Sequence, residues 1–414
     1  MIRPATQDRG TADALVSGDL TSTVEANETA AHGSFDAAPI PPLLGRSLVL
    51  VFVVMFGATA SFYLLLSVVP LYATAAGAGG IGAGFATGAL MCSTVAAELA
   101  TPYMMTRFGY RIVLAAGLVF IGLPSLALIG SSSIAAILAI CLVRGIGLGI
   151  TVVVGSSLVV WFVPEERHSE ALGLYGVVVG IPAVVGLPMG VWFAVHFGYA
   201  PVFVAGAAVA TAALPAVLAL PPRGLDSTES IGFLAALRTR ELNRPAIIFA
   251  VTAVAAGVVV TFLPLVVTQA DGNVAAAGLL VQAVSMTLMR GWAGRYGARR
   301  NATLLAAAIV LTAAGIFALA ASANAIVVLT AMAVFGGGFG IAQNASLALM
   351  FERVAKSRYD AVSALWNAAY DTGLGVGGAG FGLLAARSGY GVALTITATL
   401  VIVALVPALR LSDN

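Results

Sequence analysis

The sequence predicts an all-α polytopic membrane protein with twelve transmembrane helices, arranged as two parallel six-helix repeats. Three observations support this prediction: the composition, the spacing of the charges and an internal repeat. Of the 414 residues, 60% are hydrophobic and 9% are charged, against about 25% charged residues in an ordinary soluble domain. Such a chain cannot solvate a surface of normal size, so we expect it in a lipid bilayer.

Charges are absent from stretches that are long enough to cross a bilayer twice. No Asp, Glu, Lys or Arg occurs at 47–97 or at 112–143. A membrane helix needs roughly 20 apolar residues, so each stretch accommodates two spans and a short turn. The same reasoning along the whole chain gives twelve spans, at 47–73, 81–105, 112–130, 134–161, 170–194, 200–220, 245–268, 274–293, 301–321, 324–350, 361–385 and 390–409.

Polar regions divide the chain into domains. Residues 1–45 contain six acidic residues and no apolar run, which predicts a disordered cytoplasmic tail. Two six-helix bundles are expected at 46–221 and 245–410, followed by a short C-terminal tail at 411–414. The interval 222–244 between the bundles is the longest polar connection, and a short amphipathic helix is expected there on the membrane surface.

Basic residues predict the orientation of the chain. If the N-terminal tail, the loops after even-numbered spans and the C-terminus share one side, eighteen of the twenty Arg and Lys residues lie on that side. We expect this side to be the cytoplasm, with both termini inside. The basic residues are nearly all arginine, and Ala, Gly and Val are frequent, which favours a GC-rich bacterial genome. The predicted location is therefore the bacterial inner (plasma) membrane.

The second half of the chain repeats the first. RFGYR at 107–111 recurs as RYGAR at 295–299, and GIGLGI at 145–150 recurs as GGGFGI at 336–341. The two offsets, 188 and 191 residues, are nearly equal. This predicts duplication of a six-helix unit, and because six is even the two copies run in the same direction across the membrane.

Twelve spans in two parallel repeats, a long middle loop and a basic loop after spans 2 and 8 resemble the major facilitator superfamily. RFGYR and RYGAR look like the family's short basic loop, with Thr106 and Gly294 at the position of its acidic residue. The resemblance implies a secondary transporter that works by alternating access. It also implies a gating role for the residues of these two loops, for which anchoring at the membrane surface is the alternative. These residues are Arg107, Gly109, Arg111, Arg295, Gly297 and Arg299.

Three ionisable residues lie inside predicted spans: Glu98, Arg144 and Asp371. A charge at the bilayer centre costs about 2.5–3.5 kcal/mol on insertion scales, so each residue is a functional candidate. The carboxyl groups could carry a coupling proton, and the arginine could hold a carboxylate or an anionic substrate. The alternative is a fixed ion pair of Arg144 with Glu98 or Asp371 that only orients helices. The family resemblance makes spans 2 and 11 neighbours, so the two acids could share one proton or one arginine.

Uncharged polar residues inside the spans form a second group of candidates, for a substrate cavity. They are Gln282, Gln343, Asn344, Asn367 and Tyr370. Hydrogen bonds between helices would explain these residues equally well. In the family that the chain resembles, spans 1, 4, 7 and 10 line the cavity, which favours Gln343 and Asn344.

Span 5 contains glycines and prolines within an apolar sequence, GVVVGIPAVVGLPMG at 176–190. Glycines four residues apart favour close helix approach, and prolines predict a bend. The residues concerned are Gly176, Gly180, Pro182, Gly186, Pro188 and Gly190. The segment resembles the family's fifth-helix motif, which is associated with proton-driven exporters. Tight packing with no bearing on transport direction is the alternative.

These features predict a secondary active transporter, with proton-coupled export of small hydrophobic or amphipathic compounds as the favoured function. Uptake of a small organic or anionic nutrient, with Arg144 as its anchor, is the alternative. A non-transporting membrane sensor is an alternative of another class. No nucleophile or metal-ligand pattern is visible, so no enzyme activity, metal or cofactor is expected. The expected partners are the lipid bilayer, a small-molecule substrate and protons, with a monomer as the family default and no nucleic acid.

Overall fold

A computed structural model describes seven ranges of the chain: 44–164, 167–222, 240–267, 272–295, 300–321, 324–354 and 359–409. Residues 1–43 of the predicted tail, residues 223–239 of the predicted middle loop with its amphipathic helix, and residues 410–414 lie outside the described residues. Within the described ranges the chain is helical apart from short connections.

Ten continuous helical stretches in the described part of the chain are long and apolar enough to cross a membrane. The first of them, Arg46–Phe108, contains two helices, and the 30-residue helix Tyr359–Ser388 lies outside these ten stretches. The described residues thus form twelve helical segments, which confirms the predicted fold class. In chain order they are α1 (Arg46–Leu66 with Val68–Ala73), α2 (Gly79–Phe108), α3 (Tyr110–Leu128), α4 (Ile134–Trp161), α5 (His168–Phe197), α6 (Tyr199–Leu218), α7 (Arg240–Val267), α8 (Gly272–Ala293), α9 (Asn301–Ala320), α10 (Ala325–Phe351), α11 (Tyr359–Ser388) and α12 (Tyr390–Leu409).

Glycines with positive φ produce tight reversals between helices. Gly198 (φ 83°) separates α5 from α6, and Gly389 (φ 77°) separates α11 from α12. Only glycine adopts this conformation without steric cost. The two glycines are 191 residues apart, the offset of the sequence repeat, so the duplicated unit keeps the same turn in both copies.

Successive segments run antiparallel, so their ends lie on two faces. One of them, which we call the Arg-rich face, carries Arg107, Arg167, Arg295 and Arg353 at or near helix ends. The other, which we call the opposite face, carries the turns at Gly198 and Gly389. The Arg-rich face is the one that the distribution of basic residues predicts to be cytoplasmic.

Corresponding helices pack in corresponding ways in the two halves. In the first half α4 packs against α2 and α3, and α1 packs against α5. In the second half α10 packs against α8 and α9, and α7 packs against α11. Each packed pair in the second half has helix numbers that are six higher than those of a packed pair in the first half, as duplication of a six-helix unit requires.

The two halves are held together near the opposite face. They meet through α2 with α11 and through α5 with α8. A Cβ atom on Gly84 of α2 would overlap the carbonyl oxygen of Gly378 of α11, so only glycine fits there. The hydroxyl groups of Thr87 and Thr261 form a buried hydrogen bond of 2.9 Å between α2 and α7. These contacts seal the interface at this end.

The interface is less closely packed toward the Arg-rich face. A Cβ atom on Gly173, Gly176 or Gly180 of α5 would meet nothing within 4 Å. Arg290, near the end of α8, has an exposed side chain although it reaches toward the neighbouring helix α10. We conclude that the space between the halves opens toward the Arg-rich face.

Candidate functional site

The carboxyl groups of Glu98 and Asp371 meet between the two halves. Glu98 belongs to α2 and Asp371 to α11, and their side chains are within hydrogen-bonding reach of each other. Asp371 is only 8% exposed, and the Oε1 atom of Glu98 is buried with no hydrogen-bond partner. The structure therefore brings together two of the three ionisable residues that the sequence places inside spans.

The direction of the side chains explains why these two residues meet. Because Gly84 faces Gly378, straight antiparallel helices would set Glu98 level with Ala364. Asp371 would then lie seven residues, or about 10 Å, nearer the opposite face. Side chains in helices lean toward the N-terminus of their own helix. Since α2 and α11 run in opposite directions, the two carboxyl groups lean toward each other.

Tyrosine hydroxyl groups surround the carboxyl pair. Tyr63 of α1 and Tyr370 of α11 both lie close enough to Asp371 to interact with it electrostatically. They also interact with each other, so residues of both halves contribute to one polar group. Both side chains are half-buried.

Arg290 supplies the positive charge of this site. Its guanidinium interacts electrostatically with the hydroxyl groups of Tyr63 and Tyr370. It donates a long hydrogen bond of 3.4 Å from Nη1 to Oε1 of Gln343 on α10. We define the central cluster as Tyr63, Glu98, Arg290, Gln343, Tyr370 and Asp371. The cluster combines two acids, one cation and neutral hydrogen-bonding groups between the halves.

A row of nearly parallel aromatic rings extends from the central cluster into the second half. Phe249 stacks on Trp366 with ring centroids 4.5 Å apart and an interplanar angle of 10°. Phe339 stacks on the Phe249 ring at 6.1 Å and 14°, and Tyr370 lies at 6.0 Å and 13° from that same ring. Phe249 and Phe339 are fully buried, whereas Trp366 and Tyr370 are half-buried. We refer to these four residues as the aromatic row.

Arg144 lies apart from both acids, inside the first half. Its side chain is 1% exposed and donates from Nε to the carbonyl oxygen of Ile121 at 3.1 Å and from Nη2 to that of Ser61 at 3.2 Å. The ion pair with Glu98 or Asp371, which is the alternative interpretation of these residues, is therefore not formed. The sequence gives the depth of Arg144 along α4, but not the side of the helix from which it projects. That side faces α1 and α3.

The predicted cavity residues occupy different positions. Gln343 and Tyr370 belong to the central cluster. Asn344 is half-buried beside Gly294, and Asn367 is half-buried on α11. Gln282 is 4% exposed on α8, where its Nε2 atom is 3.8 Å from the sulfur of Met286. Gln282 packs against α10 at Gly336, so it is an interhelical residue of the second half.

Four of the predicted gate residues lie on the Arg-rich face. Gly109 (φ 78°) forms the turn between α2 and α3, and Arg111 donates to the carbonyl oxygen of Leu218 on α6. Arg107 and Arg295 are exposed. Gly297 and Arg299 lie outside the described residues.

The α5 glycines divide into two pairs with different surroundings. Gly186 and Gly190 pack on α1, where a Cβ on Gly190 would overlap the carbonyl oxygen of Leu64. Gly176 and Gly180 have no atom within 4 Å of an added Cβ. Pro182 and Pro188 lie inside a helix that is continuous over 30 residues. Close packing thus accounts for Gly186 and Gly190 but not for Gly176 and Gly180.

Sequence reasoning missed Arg290 and most of the aromatic row. Arg290 lies three residues from the end of α8, where basic residues usually anchor a helix at the membrane surface. A signal was available, because an arginine near a helix C-terminus leans back toward the membrane interior. The spacing of Trp366 and Tyr370, four residues apart on one helix face, could have indicated the exposed end of the row.

Comparison with known proteins agrees with this architecture. The sequence profile of the family described as Major Facilitator Superfamily matches residues 51–378. No curated protein matches the chain significantly. The structure is similar to a bacterial homolog of the human lysosomal transporter Spinster, in an inward-facing and occupied conformation, with a TM-score of 0.72, 13% identity and coverage of 88% of this chain and 96% of the other.

Two sugar or nucleoside transporters are similar as well. A D-xylose-proton symporter superposes with a TM-score of 0.71 at 14% identity, covering 87% of this chain and 95% of the other. The nucleoside transporter NupG gives a TM-score of 0.66 at 15% identity, covering 89% of this chain and 98% of the other. At these identities the similarity establishes a common fold.

Proposed function

The chain belongs to the Major Facilitator Superfamily, and we propose that it is a proton-coupled secondary transporter of small amphipathic organic compounds. Membership of this family makes it a membrane transporter. Proton coupling, substrate class and direction are the proposed parts. The observation that supports them is the contact of Glu98 with Asp371 between the two halves.

A carboxyl pair in this position has the properties that proton coupling needs. Two ionised carboxylates side by side repel each other, and one proton shared between them removes the repulsion and adds a hydrogen bond. The pair joins α2 to α11, which belong to opposite halves. Binding or release of one proton therefore changes the attraction between the two bodies that must move. Tyr63 and Tyr370 face Asp371, Arg290 faces these two tyrosines, and Tyr175 of α5 faces Tyr63.

Alternating access would require the seal at the opposite face to open while the Arg-rich side closes. The seal includes backbone contacts at glycines, one threonine–threonine hydrogen bond, Thr87 to Thr261, and the rings of Phe262 and Tyr390 beside Gly80. A hydrogen bond of this kind contributes about 0.5–1.5 kcal/mol. A hydrogen bond of this size can be exchanged for another during a transport cycle. The fold accommodates proton coupling, since one similar structure is that of a proton symporter.

Export is the direction that the α5 sequence favours. The glycine and proline spacing of GVVVGIPAVVGLPMG resembles the fifth-helix motif of proton-driven exporters. The apolar surroundings of the central cluster, including the aromatic row, suit a hydrophobic or amphipathic compound.

Uptake of an anionic nutrient is a second candidate, favoured by Arg290. Arg144 was the expected anchor for an anion, but it is buried inside the first half, whereas Arg290 has an exposed side chain in the central cluster. An anion beside the carboxyl pair is better tolerated when the pair holds a proton. That linkage would favour movement of the proton and the anion in the same direction.

Transport by everted membrane vesicles tests the proposal. Vesicles containing the wild-type protein or Asp371→Asn are loaded with a panel of lipophilic and anionic compounds, and a pH gradient is imposed. An exporter that exchanges the compound for protons accumulates it when the lumen is acidified, whereas a proton–anion symporter loses it from the lumen under that same gradient. The proposal is wrong if every compound moved by the wild type moves equally well without a gradient.

A further inference from the structure

We propose that the central cluster recognises planar aromatic anions, with Arg290 as the group that binds the anion and the aromatic row as the wall for the ring. This inference rests on the proposed function and names the substrate class of its second candidate, uptake of an anion together with a proton. The contacts that carry it are those of Arg290 and of the two half-buried rings, Trp366 and Tyr370.

Arg290 has unused hydrogen-bonding capacity at the space between the halves. A guanidinium carries five N–H donors in a planar fork that matches a carboxylate. The hydrogen bond to Gln343 uses one donor, at the long distance of 3.4 Å. Arg290 has no carboxylate partner within 4.0 Å among the residues that the structure describes. An anionic ligand would provide the missing counter-charge.

The two nearby acids do not provide that counter-charge. Asp371 lies within hydrogen-bonding reach of Glu98, while Arg290 interacts with the hydroxyl groups of Tyr63 and Tyr370. The tyrosines thus stand between the cation and the acid pair. Their hydroxyl groups can donate to a ligand carboxylate held by Arg290.

The aromatic row gives the site its shape. Tyr370 belongs both to this row and to the central cluster, so the wall and the cation adjoin. The rings of Trp366 and Tyr370 are nearly parallel, with an interplanar angle of 10° and centroids 6.2 Å apart. Both remain partly accessible, whereas Phe249 behind them is fully buried. A flat apolar ring complements such a surface and stacks on it favourably.

Binding measurements on the purified full-length protein test this inference. Isothermal titration calorimetry compares naphthoate with naphthamide, which has the same ring and no charge. We expect wild-type protein to bind naphthoate at least tenfold more tightly than naphthamide. We expect Arg290→Gln to lose at least tenfold in affinity for naphthoate and to retain its affinity for naphthamide. Arg290→Lys keeps the positive charge but lacks the planar fork of N–H donors. Its affinity for naphthoate should therefore lie between those of the wild type and Arg290→Gln.

Two further variants complete the design. Trp366→Ala should weaken the binding of both compounds, because it removes the ring contact. Arg46→Gln removes an exposed arginine outside the central cluster and should change neither affinity. A monodisperse elution profile confirms that each variant is folded before titration.

Unchanged naphthoate affinity in both Arg290 variants would overturn the inference, as would equal affinity of the wild type for naphthoate and naphthamide. Neither result would affect the proposed function, because proton-driven transport of a neutral compound by the wild type would still support it. Conversely, selective naphthoate binding without any proton-driven transport would leave the anion site standing and remove the proton coupling.

Discussion

Glu98 of α2 and Asp371 of α11 bring their carboxyl groups together across the interface between the two six-helix halves. The helices that carry them are also the ones whose glycines, Gly84 and Gly378, make direct backbone contact nearer the opposite face. A change in the charge of the acid pair therefore acts on the same two helices that form the seal.

Neutralising either acid should uncouple transport from the proton. We expect Asp371→Asn and Glu98→Gln each to abolish accumulation driven by a pH gradient. Exchange of labelled for unlabelled substrate should persist, because the halves can still move. Counterflow in proteoliposomes without a gradient measures this exchange. Loss of folding in both variants, seen as aggregation on gel filtration, would instead favour a structural role for the pair.

The contact between Gly84 and Gly378 should not tolerate a larger residue. Gly84→Ala places a Cβ atom against the carbonyl oxygen of Gly378 on α11, and overpacking of this kind costs about 1–3 kcal/mol. We expect a lower thermal denaturation midpoint in detergent.

Gly180→Ala on α5 is the matched control for that substitution. No atom lies within 4 Å of an added Cβ there, and alanine is favoured over glycine in a helix by about 1 kcal/mol. We expect an unchanged or higher midpoint. An equal loss of stability in both variants would show that the two positions do not differ in packing. A slower transport rate in a stable Gly180→Ala protein would support a hinge at this position.

The hydrogen bond between Thr87 and Thr261 should stabilise the state that is closed at the opposite face. Removing it with Thr87→Val should raise the population open at that face by a factor of about 2–10, since such a bond contributes about 0.5–1.5 kcal/mol. Spin labels at Ser133→Cys and Ala321→Cys, on the two halves, would report this as a larger fraction of long distances. Thr395→Val is the control, because Thr395 bonds only the backbone of its own helix. The same distance distribution in both variants would contradict the role of the bond.

Arg144 should contribute to stability more than to transport. Arg144→Gln leaves one or both of the carbonyl oxygens of Ile121 and Ser61 without their donor, and a buried unsatisfied group costs about 1–3 kcal/mol. A lower denaturation midpoint is expected, with substrate affinity unchanged in the folded fraction. The exposed Arg46→Gln serves as the comparison. A stable Arg144→Gln protein that no longer binds substrate would make Arg144 a ligand-binding residue after all.

The sequence predicted the helices and the depth of the membrane charges, because both depend on position along the chain. Charge-free stretches of 51 and 32 residues, at 47–97 and 112–143, are each long enough for two helices that cross a bilayer. The depth of Glu98 and Asp371 follows from counting residues to the helix ends.

The partners of these charges depend on the direction from which each side chain leaves its helix, which residue counting does not give. Arg144 projects toward α1 and α3, away from the acids, and Arg290 leans inward from the end of α8. The aromatic row forms from α7, α10 and α11, so it exists only once the second half has packed. Hydropathy locates the spans along the chain, but it does not show which faces of two helices pack against each other.

Proton movement through reconstituted protein tests the central claim most directly. Proteoliposomes containing a pH-sensitive dye are prepared with the wild type, Asp371→Asn and the Glu98→Gln, Asp371→Asn double variant, and a transported compound from the panel is added. We predict that the compound drives proton flux in the wild type alone, while all three proteins exchange the compound. Substrate-driven proton flux of wild-type size in the double variant would contradict the assignment of Glu98 and Asp371 as the proton-coupling pair.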